Sequence, residues 1–127
     1  MSKKKDIAPA LEQQYTYRVI WSDEDKEFVG LCAEFPSLSW LDDNQEKAFK
    51  GIVSLVEEII ADMRKENEKI PEPLSLHKYS GKFVVRTTPK LHKQLVIKSA
   101  EAGVSLNRLI NSMLGEGGLQ HENQDQM

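Results

Sequence analysis

The chain has 127 residues, of which 39% are apolar and 29% charged, and its net charge is −3. This length permits one domain, or one small domain followed by a motif that completes its core by dimerising. A single cysteine, Cys32, excludes an intrachain disulfide and a cysteine zinc site, so we expect a cytoplasmic protein. Glu57 and Glu58 interrupt the longest apolar stretch, and no apolar segment follows the basic start, so we expect no membrane span and no signal peptide.

Three short strands are predicted after a polar lead-in, residues 1–13, which we expect to be disordered. Residues 15–21 and 28–33 are rich in aromatic and β-branched side chains, and the charged run between them predicts a hairpin. A Phe-Pro-Ser break then precedes a third strand at residues 38–41. Two tryptophans in these strands suit interface anchors, and slightly better packing residues of a sheet face: Trp21 and Trp40.

A long helix is predicted to follow the third strand. Asp43 and Glu46 are spaced as in a capping box, which marks the helix start. Gly51 within the helix should cost about 1 kcal/mol relative to alanine, and close packing on the sheet would be a reason to keep it. The apolar residues recur with helical spacing and form one wide stripe: Ala48, Phe49, Ile52, Val53, Leu55, Val56, Ile59, Ile60 and Met63.

A proline-containing connection separates this helix from the rest of the chain. Residues 70–73 include two prolines and predict a stiff extended link, and residues 74–76 predict a short final strand. Together, residues 14–78 predict a small α+β domain, in which one long helix packs on a small antiparallel sheet.

Residues 81–115 predict one short strand and two helices. Alternate residues of the strand, residues 82–87, face opposite sides. Phe83 and Val85 lie on one side, and the other side carries Lys82, Val84 and Arg86.

Capping residues mark the ends of these two helices. Thr88 is a candidate N-cap followed by Pro89 at the first helical position, and Gly103 suits the end of the first helix. Ser105 caps a second helix that Gly115 ends, and residues 116–127 are predicted to be disordered. The apolar residues of the two helices are Leu91, Leu95, Val96, Leu106, Leu109, Ile110, Met113 and Leu114.

About thirty residues cannot bury this apolar surface alone. The sequence therefore predicts an intertwined dimer, in which two copies of the strand pair as an antiparallel ribbon that fits the major groove of DNA. Residues 82–114 contain 6 basic and 1 acidic residue, a net charge of +5, whereas residues 1–81 contain 11 basic and 16 acidic residues, a net charge of −5. The basic segment favours phosphate binding, although a charge run is also typical of a solvated face.

The basic segment resembles the ribbon-helix-helix family of DNA-binding proteins over its whole length. Its local sequence is similar to the C-terminal domain of HicB antitoxins in Gly81-Lys82-Phe83-Val84-Val85-Arg86-Thr87, in Leu91-His92 and in Ala102-Gly103-Val104-Ser105-Leu106-Asn107. The first domain resembles the N-terminal domain of HicB proteins, which has an incomplete RNase H-like fold. This second likeness lies in Tyr-Thr-Tyr-Arg-Val-Ile-Trp, in Phe-Val-Gly-Leu-Cys-Ala-Glu-Phe-Pro-Ser-Leu and in the Ala-Phe start of the helix.

The resemblance implies an antitoxin of a type II toxin–antitoxin system. The expected protein partner is a HicA-type toxin, which cleaves RNA with a catalytic histidine and which the first domain would bind and neutralise. The expected second partner is double-stranded operator DNA, which the C-terminal domain would bind as a homodimer, or within a tetramer, to repress its own operon. We expect no catalytic residue, no metal and no cofactor, so the protein is predicted not to be an enzyme.

Two sets of residues are expected to carry these roles. The DNA-binding set consists of strand residues and of residues whose backbone amides open the second helix and hold a phosphate: Lys82, Val84, Arg86, Ser105, Leu106 and Asn107. The set expected to form the dimer core is Phe83, Val85, Leu91, Leu95, Leu109, Ile110 and Met113.

Two other functions stay open from the sequence. A stand-alone repressor of the same architecture would lack the toxin partner. A metal nuclease would need carboxylates that converge on two metal ions, but no acidic residue lies in the middle of the first strand. His77, His92 and His121 are scattered and suggest neither a zinc site nor a general base, and Cys32 in an apolar strand is expected to pack rather than react.

Overall fold

The computed structural model describes residues 8–117 of the chain. The chain divides into two compact units, with the boundary between Ser80 and Gly81. Of the predicted disordered tails, residues 1–13 and 116–127, the parts at residues 1–7 and 118–127 lie outside the described residues, as does His121. None of the helices in the described range is long and apolar enough to cross a membrane.

The first unit is a three-stranded antiparallel sheet with one long helix. Its strands are β1 (Tyr17–Ser22), β2 (Glu27–Cys32) and β3 (Ser39–Asp42), and they lie in the order β1-β2-β3. Helix α1 (Gln45–Lys65) follows β3 directly and packs against the sheet. The predicted α+β fold with a small antiparallel sheet and one long helix is therefore confirmed.

The core of this unit lies between α1 and one face of the sheet. A Cβ atom at Gly30, in the central strand, would lie 2.5 Å from the Ala48 carbonyl oxygen and 2.8 Å from Ile52 Cγ2. The helix can approach the sheet this closely because position 30 has no side chain. The buried residues that form the core cluster are Tyr15, Cys32, Ile52, Val56 and Ile60.

Gly51 allows a second close approach, between α1 and β3. A Cβ atom on Gly51 would lie 2.1 Å from Trp40 Nε1 and 2.2 Å from Trp40 Cδ1. The indole ring of Trp40 therefore lies against the helix at the position that glycine leaves open. This contact is the packing reason that the sequence predicted for a glycine inside the helix.

The start of α1 differs from the prediction by one residue. Asn44, not Asp43, is the N-cap, because the backbone N–H of Lys47 donates to Asn44 Oδ1 at 3.0 Å. Asparagine and aspartate are equally good N-caps. The extended backbone of Asn44, with φ −123° and ψ 132°, decides between them.

Part of the lead-in that was predicted to be disordered is folded. Leu11–Gln13 form a short 3-10 helix, and Leu11 packs against the core. Tyr17 Oη donates to the Glu12 carbonyl at 2.5 Å, and Gln14 Nε2 donates to the Pro9 carbonyl at 2.9 Å. Tertiary packing orders this segment, and the composition of a short polar stretch does not reveal such packing.

Residues 74–76 form a turn, so the prediction of a short final strand was wrong. The backbone N–H of Leu76 donates to the Pro73 carbonyl at 3.0 Å, which closes the turn. Pro71 and Pro73 have no backbone N–H and cannot donate to a strand ladder. The connection after α1 therefore follows local proline chemistry rather than the alternation of Leu74 and Leu76.

The second unit contains two helices, α2 (Pro89–Ala102) and α3 (Leu106–Gly117). Residues 82–87, which were predicted as a strand, form neither helix nor strand in the single chain. A strand requires a hydrogen-bonded neighbour, and residues 81–117 contain no second strand. α3 continues past Gly115, the predicted end of the helix, to Gly117.

Candidate nucleic-acid interface

Side-chain and glycine caps fix the first helix of the second unit. The backbone N–H of Leu91 donates to Thr88 Oγ1 at 3.2 Å, so Thr88 is the N-cap, and Pro89 occupies the first turn. Gly103 ends the helix with φ 71°, a left-handed conformation that glycine adopts without strain. These caps agree with those predicted from the sequence, and they set the short connection from α2 to α3.

Ser105 begins α3 through its side chain. The backbone N–H of Arg108 donates to Ser105 Oγ at 3.0 Å, and that of Leu109 donates to the Ser105 carbonyl at 3.0 Å. Amide groups in the first turn of a helix have no partner within the helix. Those of Leu106 and Asn107 lie in this turn, beside the segment that leads into α2.

The strand candidates are strongly exposed in the single chain. Val84 is 87% exposed, Phe83 76% and Val85 66%, and both Lys82 and Arg86 are exposed. Three successive apolar side chains in water are unfavourable, because each would gain about 1.5–3 kcal/mol from burial. The segment therefore leaves three apolar side chains uncovered in the single chain.

Two grooves lie between this segment and the helices of the same unit. A groove of about 600 Å³ is lined on one side by Lys82, Phe83 and Val85 and on the other by Leu106 and Ile110, among others. A second groove, of about 650 Å³, is lined by Val85, Arg86, Thr87, His92, Leu95, Leu106, Ile110 and Leu114. Phe83 and Val85 thus lie beside the apolar side of α3, whereas Val84 lines neither groove.

The predicted dimer-core residues do not form a closed core within one chain. Leu95, Leu109 and Ile110 are half-buried, whereas Leu91 and Met113 are exposed. The one buried residue among residues 81–115 is Ser99, whose Oγ donates to the Val96 carbonyl at 2.9 Å. Within this range the apolar side chains of α2 and α3 are therefore not covered.

The sequence analysis did not assign some of the residues that line these grooves or lie exposed on α2. Leu114 lines both grooves but was not assigned to the dimer core, although its helical spacing from Ile110 was a usable signal. Asn111 lines the first groove, and its Nδ2 donates to the Asn107 carbonyl at 2.9 Å. Val96 and Ile97 form a further exposed apolar pair on α2, which the sequence interpretation covered only in part.

The remaining chemically reactive side chains are not gathered into a site. Burial raises the pKa of the Cys32 thiol, which donates to Glu34 Oε1 at 3.5 Å. His77 Nδ1 lies 3.5 Å from Glu72 Oε1, and His92 lines the second groove. Within residues 8–117, no group of three or more His, Cys, Asp or Glu side chains is placed to hold a metal ion.

The part of the chain that resembles a known family runs from the end of α1 through the connection to α3. Residues 65–114 match the model of the HicB family. The match covers less than half of the chain, so it shows that this segment is similar to the HicB family. It includes every predicted DNA-binding and dimer-core residue and leaves the three strands of the sheet outside. Neither the curated proteins nor the solved structures gave a match to the chain.

Proposed function

We propose that this protein is an antitoxin that neutralises a HicA-type RNA-cleaving toxin and represses its own operon by binding operator DNA. The observation that carries the proposal is the second unit, which matches the HicB family, bears a net charge of +5 over residues 82–114, and leaves its apolar surface uncovered.

Dimerisation is the first step of the proposal. Two copies of residues 82–87 would pair as an antiparallel ribbon, and each would give the other the neighbour that a strand requires. The apolar sides of α2 and α3 from both copies would then fill the two grooves around Val85, Leu106 and Ile110. Small units of this length need such a partner because they bury too little surface alone.

DNA binding follows from the outward side of the ribbon. Lys82 and Arg86 would donate to guanine acceptors in the major groove, and Val84 would contact a thymine methyl group. The amides that open α3 after Ser105 would hold a backbone phosphate. About ten positive charges in the dimer would make binding strongly dependent on salt.

Toxin binding is assigned to the first unit. Residues 1–81 carry a net charge of −5, from 11 basic and 16 acidic residues. A toxin that binds RNA is expected to be basic, and opposite charge accelerates association and favours correct docking. This unit acts by covering the toxin rather than by catalysis, so the protein is proposed to be a binding protein and not an enzyme.

A co-expression experiment tests the proposal. The chain is expressed together with a HicA-type toxin encoded beside its gene, and a reporter carries the promoter of that gene pair. We expect growth to be rescued and the reporter to be repressed. Repression without any toxic neighbouring gene would instead support a stand-alone repressor.

A further inference from the structure

Among the described residues of the first unit, no helix covers one face of the sheet. α1 covers the face on which Gly30 and Cys32 are buried, and alternate residues point to the opposite face. We call this opposite surface the open sheet face. It consists of Arg18, Ile20, Val29, Leu31, Ser39 and Leu41.

The centre of the open sheet face is an apolar row. Ile20 lies directly opposite Val29, and Val29 lies directly opposite Leu41, so the three side chains cross all three strands in line. Strands lie about 4.8 Å apart, which makes this row roughly 10 Å wide. The side chains of Ile20 and Leu41 are 40% and 41% exposed, so this apolar row is open to solvent. Contiguous apolar patches with a polar margin are typical of protein interaction sites.

Acidic residues lie at one end of the sheet, beside this row. β1 and β3 end there and β2 begins there, so their flanking residues converge. The acids at this end of the open sheet face and in the adjoining turns are Asp23, Glu24, Asp25, Glu27 and Asp43, whereas Asp42 lies on the helix-covered face and accepts from Trp40 Nε1 at 3.5 Å. The cation of the same hairpin, Lys26, is paired with Asp23 at 2.9 Å. Among the described residues, no cation lies within salt-bridge distance of Glu24, Glu27 or Asp43.

We propose that the open sheet face is the surface that docks the basic toxin, with Ile20, Val29 and Leu41 at the centre of the contact and the acidic end beside it. This inference rests on the proposed function and adds to it the surface used. A basic partner complements the acidic end, whereas a second copy of this chain would bring the same excess of acids close to it, and like charges across an interface are costly.

Matched charge substitutions in the full chain test the surface. Ile20→Lys places a cation in the apolar row, and Phe49→Lys makes the same change at a side chain that is 47% exposed and packs on Tyr17 instead. The probe is the HicA-type toxin encoded beside the gene, with its catalytic histidine replaced. We expect Ile20→Lys to weaken toxin binding at least about tenfold, as for a central interface residue, and Phe49→Lys to leave it unchanged.

A second variant tests the charges of the surface and leaves the apolar row unchanged. Glu24→Lys with Glu27→Lys should slow toxin association about tenfold and reduce its dependence on salt, because it removes the attraction at the acidic end. Circular dichroism shows whether each variant remains folded, and operator binding reports separately on the second unit.

The outcomes separate the inference from the proposed function. If the toxin binds the wild type and a folded Ile20→Lys equally well, and the glutamate pair has no effect on the association rate, the open sheet face is not the docking surface but the antitoxin function stands. If the toxin does not bind the wild type, both fail. If Ile20→Lys lowers the mass of the free chain in light scattering and Phe49→Lys does not, the face joins copies of this chain, and the inference is overturned.

Discussion

Glu34 joins three segments of the first unit at the scale of a single side chain. Its Oε1 accepts from the Thr16 backbone N–H at 2.9 Å, and its Oε2 accepts from the Leu74 backbone N–H at 2.9 Å. Tyr15 Oη adds a bond to the Pro71 carbonyl at 2.7 Å. Burial alone would raise the pKa of Glu34, but the backbone hydrogen bonds outweigh it and hold the pKa below its ordinary value. The connection after α1 is therefore fastened to the sheet as far as residue 74.

Glu34→Gln should reduce stability in a pH-dependent way. Because the pKa of Glu34 is lower in the folded chain than in the unfolded chain, its contribution is present above the ordinary glutamate pKa, about 4.3. The contribution is lost as the pH falls through the lowered value. At neutral pH we expect a loss of about 1 kcal/mol, discounted for partial exposure.

Urea unfolding of the full chain between pH 7 and pH 3 measures this effect. Glu57→Gln, on the exposed side of α1, is the matched control. The wild type should lose more stability on acidification than Glu34→Gln does. If the stability of the wild type and that of Glu34→Gln change in parallel with pH, the hydrogen bonds to Glu34 contribute nothing to the pH dependence of stability.

Gly30→Ala should destabilise the first unit. The added Cβ would lie 2.5 Å from the Ala48 carbonyl oxygen and 2.9 Å from Ile52 Cβ, and the backbone of α1 cannot move aside without loss of core packing. Overpacking of this kind costs about 1–3 kcal/mol. Gly115→Ala, where a Cβ meets nothing within 4 Å, is the control and should be neutral or slightly stabilising. Thermal unfolding of both variants checks the prediction, which an unchanged Gly30→Ala midpoint would contradict.

At the scale of elements, the second unit is two capped helices with an unpaired segment before them. The caps at Thr88, Gly103 and Ser105 fix where α2 and α3 begin and end, independently of any partner. The apolar sides of these helices are not covered within the single chain, because the grooves at Val85 and Ile110 stay open. The local structure of this unit is thus set within one chain, whereas its apolar sides stay uncovered there, as the dimer proposal expects.

Ile110→Glu should dissociate the proposed dimer. Ile110 lines both grooves, so a carboxylate there would be buried without a partner when two copies meet. Gln94→Glu, an exposed position of α2 that lines neither groove, is the control. Light scattering at micromolar concentration should give a monomer mass for Ile110→Glu and a dimer mass for the control. A folded wild-type monomer at this concentration would refute the dimer proposal itself.

Arg86→Ala should weaken operator binding by about 1–3 kcal/mol and relax its sequence preference, since a bidentate contact to guanine would be lost. Lys98→Ala in α2 removes the same charge at a position outside both grooves and should change affinity less. Gel-shift titrations against matched and mutated operator sites measure both quantities. Equal affinity and equal preference for Arg86→Ala and wild type would place the DNA contact elsewhere.

At the scale of the whole molecule, the two units carry opposite charge. The net charge changes from −5 over residues 1–81 to +5 over residues 82–114, which supports the proposal that the two units bind partners of different kinds. The hydrogen bonds of Glu34 and Tyr15 belong wholly to the first unit, and the cap of Thr88 belongs wholly to the second. Each unit therefore contains its own local determinants of structure.

A chain that ends at Lys78 should still neutralise the toxin and should lose operator binding. The first unit keeps its sheet, its helix and the hydrogen bonds that Glu34 accepts. With about 80 residues, its stability is marginal. The complementary variant, Lys82→Ala with Arg86→Ala in the full chain, should lose repression and keep neutralisation. Growth rescue and a promoter reporter in the same cells measure both activities. Failure of the shortened chain to rescue growth while it remains folded by circular dichroism would place toxin contacts in the second unit.

Sequence pattern was sufficient where the cause of a structure is local. The hairpin of β1 and β2, the long helix α1, the caps at Thr88 and Ser105 and the left-handed Gly103 all follow from neighbouring residues, and all were predicted. The candidate site was predicted in the same way, from the alternation in residues 82–87 and the charge change, and it stays a prediction.

Tertiary structure decided the features that depend on residues distant in sequence. The fold of Leu11–Gln13 requires the core, the link between Leu74 and the sheet requires Glu34, and the role of Gly51 requires the indole of Trp40. The open sheet face also became visible only when the register aligned Ile20 with Val29 and Leu41 across three strands. Side-chain alternation predicts two faces for a strand, but the packing of α1 against one of them determines which face stays exposed.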